Sequence, residues 1–148
     1  MASFSKQVGA FVEDEAKRNA TLIFRTAADA MYRETIKPRS QGGRLPHDTG
    51  NLGRSLAVVE GQAPAVDTVQ ADYADQSAVY SVTILNADIG DTLGFGFQAV
   101  YAPRMEFGFV GTDSLGRNYN MSGNYFVQGA VNQWVQLVKE AELQFGEE

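Results

Sequence analysis

The stretch from Leu45 to Leu56 reads LPHDTGNLGRSL. It places the chain's single histidine, His47, directly before Asp48-Thr49-Gly50. Asp-Thr-Gly is the tripeptide that carries the catalytic aspartate of aspartic proteases. That chemistry needs two carboxylates close enough to share one proton. No second Asp-Thr/Ser-Gly is present, so a dyad would require a homodimer. The protease tripeptide also leaves a buried apolar strand. Here Gly42-Gly43-Arg44-Leu45-Pro46-His47 comes first, and this composition does not make a central strand. Neighbouring side chains diverge, so His47 and Asp48 do not form a base with its orienting partner. A dimeric protease using Asp48 is therefore the remote reading.

Turn chemistry accounts for the same residues more directly. Asp48 or Thr49 caps a helical turn over residues 51–55. Gly50 supplies a tight reversal. Leu52 and Leu56, four apart, anchor the turn on the core. The stretch then works as a clip between a long helix and the first strand.

Other reactive combinations fall short. The chain has no cysteine, which excludes disulfides, thiolate zinc sites and thiol catalysis. One histidine per chain excludes a two-histidine metal site. Asp88 and Asp91 in NADIGD lack the full ligand spacing of a calcium loop. Gly94-x-Gly96 lacks the third glycine and the following helix of a dinucleotide loop. No cofactor, no metal and no catalytic residue is expected. Lys37, Arg39, Arg44 and Arg54 cluster in a loop without aromatic partners, and the net charge is −6. Neither feature suits a protein that grips nucleic acid.

The elements that must hold the clip follow from periodicity and punctuation. Residues 5–36 read as one long helix, with apolar residues mostly three or four apart. Glu13–Lys17, Asp14–Arg18 and Asp29–Arg33 are spaced as ion pairs in the favourable order. Such a helix spans roughly 45 Å, more than a core of this size covers, so part of it projects or packs on another subunit. Residues 37–51 form a loop, and 55–60 a strand. Residues 61–76 read as a long, mobile connection. Residues 78–85 read as a strand with Tyr80, Val82 and Ile84 on one face. Residues 93–99 are the clearest strand: Leu93, Phe95 and Phe97 alternate with Gly94 and Gly96, leaving a bare face for close approach of another backbone. Alternation of Met105, Phe107 and Phe109 would suit a strand, but Pro103 and Gly108 tip residues 102–107 toward a helical turn; 110–123 read as a polar loop, and 124–145 as a strong helix.

With 148 residues, one domain spanning 1–148 is predicted. The fold class is α+β: a long N-terminal helix, a small, mainly antiparallel sheet of about four strands, and a long C-terminal helix packed on one face. The start, MASFSKQVGAFVEDEAKR, lacks the apolar core of a signal peptide, and no run approaches the ~20 apolar residues of a membrane span. The expectation is a soluble chain made in the cytoplasm.

Three pieces occur in order: Pro46-x-Asp48-Thr49-Gly50-Asn51-Leu52-x-Arg54-Ser55, then Tyr101-Ala102-x-x-Met105-Glu106-Phe107-Gly108, then a C-terminal helix led by Phe126. This combination resembles the tail-completion or tail-component proteins of long-tailed bacteriophages, which act at the head–tail connection. Met105 stands where that pattern usually has valine, and Asn124-Tyr125 replaces a proline before Phe126. The resemblance implies a structural virion protein of the neck, made in the host cytoplasm and free of catalysis. It further implies a homo-oligomeric ring, often a hexamer, around the DNA channel. The partners would be head connector or head-closure proteins and tail-terminator or tail-tube proteins, with DNA passing through unbound and no membrane involved. Tail-terminator or head-closure rings are the close alternatives. In such a ring a negative lumen would let DNA slide, and Glu13, Asp14, Asp72, Asp75, Asp88, Asp91 and Asp113 are the candidates to line it. Glu106 lies in an otherwise apolar segment, so its charge either meets a basic residue or backbone donors or simply faces solvent, and the two readings are even. Arg54 or a neighbouring subunit is the specific expectation.

Overall fold

A computed structural model describes residues 3–145. The architecture is α+β, in the order α1 (Phe4–Ile36), a 3-10 turn (Arg39–Gln41), α2 (Asn51–Arg54), β1 (Leu56–Glu60), α3 (Ser77–Asn86), β2 (Leu93–Phe97), α4 (Ala102–Phe107), β3 (Gly108–Thr112), β4 (Asn118–Ser122), α5 (Phe126–Asn132) and α6 (Trp134–Phe145).

Helix α1 starts at Ser3, whose side chain accepts from the Lys6 amide. It runs for about 50 Å. Its second half carries the core: Ala27, Ala28, Tyr32 and Thr35 are buried. Residues 3–14 are all exposed, so the first turns project beyond the body, as the helix length predicts. Arg33 pairs with Asp29 at 2.9 Å, as its spacing predicts. Arg18 takes Glu15 at 2.9 Å rather than Asp14, because the three-residue step also lies along one helix face.

The predicted sheet is two separate antiparallel ribbons, β1–β2 and β3–β4. In the first, Leu56 faces Phe97 and Val58 faces Phe95. These residues meet Tyr32, Ile84 and Phe126 in one apolar cluster. The bare face of β2 is filled, but by this chain itself. A Cβ on Gly94 would collide with the Ala63 backbone, and one on Gly96 with the Pro64 carbonyl. The 61–76 connection is therefore not a loose strap. It is stitched down by Gly61 N–H to Thr92 O (2.8 Å) and Asp67 N–H to Gln98 O (2.8 Å), and Tyr73 is buried within it.

Three expectations are corrected. Residues 78–85 lie in helix α3, not a strand. Tyr80 and Ile84, four apart, are the buried pair, while Val79, Val82 and Leu85 face solvent. Packing overrides the β propensity of Val, Thr and Ile here. Tyr80 stacks on Tyr32 with ring centroids 3.6 Å apart, and burial, then Tyr80 and Asp75, push the Tyr32 phenol up to about 12. The Ser77 amide and hydroxyl both donate to Asp75 at the helix start, holding that carboxyl below its ordinary range.

The second correction concerns 110–123, read as a loop. It holds most of a hairpin in which Phe109 faces Met121 and Gly111 faces Tyr119. Its turn is organised by Asp113, which accepts from the Leu115 and Arg117 amides, the Arg117 guanidinium and the Tyr119 hydroxyl. Desolvation pushes the Asp113 carboxyl up, but these donors outweigh it and hold it below the ordinary range. Third, the C-terminal helix is two pieces. At Gln133 the amide bonds Ala130 O, a three-residue step, and α6 restarts at Trp134.

Because Gly96 is pressed on a backbone carbonyl, Gly96→Val must displace the connection. A loss of about 1–3 kcal/mol is expected in urea unfolding, the usual scale for overpacking.

Candidate functional site

The motif residues gather at two polar nodes. The first is built by the clip. Leu45 is tied back to the end of α1, its amide donating to Lys37 O (3.2 Å) and its carbonyl accepting from the Arg39 amide (3.2 Å). After Pro46 the chain passes over exposed His47, Asp48 and Thr49 and reverses at Gly50 (φ 81°). A Cβ there would meet Arg54 Nη1 at 2.8 Å. Helix α2 follows, with Gly50 as its N-cap. The expected side-chain cap is only partly realised. Thr49 Oγ1 accepts from the Asn51 amide (3.3 Å), while Asp48 makes no capping bond. Leu52 and Leu56 are buried, as the clip reading predicts. Ser55 is buried and donates its hydroxyl to Leu52 O (2.7 Å).

Asn51 is the centre of this node. Its side-chain NH2 donates to Ala71 O (2.9 Å) and to the Tyr101 hydroxyl (3.1 Å). Its Oδ1 accepts from the Tyr73 amide (2.8 Å). Arg54 adds Nε to Tyr73 O (2.7 Å) and Nη1 to Thr49 O (3.2 Å). One buried amide thus joins the first motif to the second, through Tyr101, and fastens the connection to both.

The second node is Glu106, in α4 beside buried Ala102. It is 5 % exposed. The expectation of an Arg54 contact is overturned, since Arg54 belongs to the first node. Glu106 instead accepts from the backbone amides of Val127 (2.9 Å) and Gln128 (3.0 Å), the first turn of α5. This was the backbone-donor alternative, and the reason is local. A helix N-terminus presents unpaired N–H groups and a partial positive charge. The Glu106 carbonyl also accepts from the Tyr125 amide (3.1 Å). Tyr125 sits at φ 52°, left-handed for a non-glycine residue, a conformation that costs about 1 kcal/mol or more. Phe126 follows, buried edge-on against Phe97 with centroids 5.0 Å apart. Gly108 (φ 85°) ends α4, and a Cβ there would strike the Met121 carbonyl.

Phe107, by contrast, is 69 % exposed. It borders an apolar groove of about 250 Å³ floored by Phe97 and Phe126. Sequence reading did not find this groove; the signal was Phe107 and Val127 flanking buried positions. The exposed face of α1 carries Phe4, Val8, Phe11 and Val12. Among the described residues no buried side-chain polar atom is left without a partner, so both nodes serve as a frame. Comparison of the chain with protein-family models, with curated proteins and with solved structures finds no match.

Four substitutions separate the framing residues Asn51 and Glu106 from exposed Asp48. Asn51→Ala strands the Tyr73 amide and is expected to cost about 2–4 kcal/mol in denaturant unfolding, against less than about 0.5 for Asp48→Asn. Glu106→Ala removes both acceptors from α5 and is expected to cost about 2–3 kcal/mol, with Glu106→Gln near half of that.

Proposed function

We propose that this chain is a structural protein of the bacteriophage neck that completes the tail and joins it to the head, as a ring around the DNA channel. The observation that carries this reading is the pairing of the two family-like motifs. Asn51 of the first bonds Tyr101 of the second, and Glu106 of the second holds the helix led by Phe126. Motif residues that hold one another serve architecture. The uncovered first turns of α1 add a surface that calls for a partner.

The charge distribution fits a channel protein. Glu13, Asp14, Asp72, Asp75, Asp88 and Asp91 are exposed and available to a lumen. Asp113 drops out of that set, because it turns toward Arg117 and Tyr119. Tail-terminator and head-closure rings remain the alternative placements of the same design. The protease reading has little support, since Asp48 lies exposed on the clip and the shared-proton dyad needs a desolvated pair.

Cryo-electron microscopy of particles from the phage encoding this chain tests the proposal. A ring of this fold at the head–tail junction is the expected result, hexameric with an acidic lumen. Particles that lack the chain, or a lumen lined mainly by Lys and Arg, would overturn it. Asp48→Asn is expected to leave assembly intact; loss of a peptidase activity in that variant would revive the enzyme.

A further inference from the structure

We infer that β4 pairs, edge to edge and antiparallel, with β4 of a second copy of this chain, joining two hairpins into one four-stranded sheet about a two-fold axis. The inference does not rest on the neck reading; it concerns the free chain. The Asp113 amide donates to Arg117 O (3.0 Å), which fixes the phase of the β3–β4 ladder. Hydrogen-bonded pairs alternate with open ones in an antiparallel ribbon. Gly111–Tyr119 and Phe109–Met121 are therefore the pairs that exchange ladder bonds. The amides and carbonyls of Asn118, Asn120 and Ser122 point the other way, out of the ribbon. All three residues are exposed, and among the described residues no hydrogen bond reaches these backbone groups.

Proteins usually blunt such an edge with lysine, proline or a bulge. Strand β4 reads Asn-Tyr-Asn-Met-Ser, with no charge and no proline, and its register runs unbroken from Asn118 to Ser122. A row of unpaired donors and acceptors fits an extended strand, and a two-stranded ribbon gains stability from further strands. Charge favours this edge for self-contact. The chain has a net charge of −6, so copies repel over most of their surface. Neither β3 nor β4 contains a charged residue. Asp113 and Arg117, beside the turn, neutralise each other at 2.6 Å. Two hairpin edges thus approach without like-charge repulsion.

The strand is complementary to itself. With the two-fold axis at Asn120, Asn118 faces Ser122 of the second copy and Asn120 faces its own equivalent. Every outward-pointing residue then meets another, giving up to about six backbone hydrogen bonds. The side chains match as well. Tyr119 and Met121 lie on the half-buried face with Phe109, whose ring meets Tyr119 at 5.7 Å. Tyr119 stands across from Met121 of the second copy, a sulfur–aromatic pair, so the apolar face continues over the axis. The opposite face brings together Asn118, Asn120 and Ser122, which are small and polar. Such a contact is isologous and closes at two copies. Edges of this length bury less than the ~800 Å² per partner of a stable pair, so the dimer forms only at high concentration.

Sedimentation velocity on the full chain tests this, using wild type, Asn120→Lys and Asn120→Asp. Asn120 is exposed and sits at an open pair of its own hairpin, and unchanged melting by circular dichroism checks the fold. Wild type is expected to pass from monomer to dimer as concentration rises. Each variant alone sets like charges across the axis and is expected to associate at least about tenfold more weakly. An equal mixture of the two sets opposite charges face to face and is expected to recover the dimer. A wild type that stays monomeric, or that runs past a dimer, overturns the inference. So does a variant that pairs like wild type, which would put the contact elsewhere. A mixture that associates no better than its two components overturns it too.

Discussion

The buried side-chain amide of Asn51 is the constraint on which the rest of the molecule leans. A carboxamide removed from water must find partners for both its NH2 and its oxygen, or its desolvation opposes folding. Asn51 finds three partners in two separate segments: Ala71 and Tyr73 of the connection, and Tyr101 before α4. Gly50 and α2 aim it, and Leu52 and Leu56 seat it on the core. Once it is satisfied, the 61–76 segment has only one path across β2, and the glycines there leave room for that path.

Glu106 repeats this logic near the same Leu56–Phe97 end of the β1–β2 ribbon. A carboxylate in an apolar segment is costly unless charge-assisted bonds meet it, and the open N-terminus of α5 provides two. The same residue's carbonyl holds Tyr125 in its left-handed turn. The two nodes lock α4 between the clip and α5. The apolar groove beside Phe107, walled by α4 and α5, is shaped by that lock.

Much of the fold was legible because its signals are local. The three-to-four spacing over α1, the alternation in β2 and the Pro103–Gly108 bracket around α4 each identify an element within a few residues. Failures came where the deciding partner is remote. In α3, Val79 through Ile84 suit either state, and the Tyr32 ring that Tyr80 stacks on lies in another helix. In the hairpin, Phe109, Tyr119 and Met121 do alternate, but the opposite face is polar and solvated, so the pattern reads as a loop.

The clip shows the same division at the scale of a site. Local chemistry alone determined that LPHDTGNLGRSL is a turn with a glycine reversal and two leucine anchors, and it left Glu106 open between donors and solvent. Tertiary structure alone decided that Asp48 lies exposed without a capping bond, that Asn51 is the hub, and that Glu106 caps α5 rather than meeting Arg54. The physical reason is range. Backbone conformation and periodicity are set within a turn or two, whereas a buried polar group is satisfied by whichever segment the packed core brings within 3 Å.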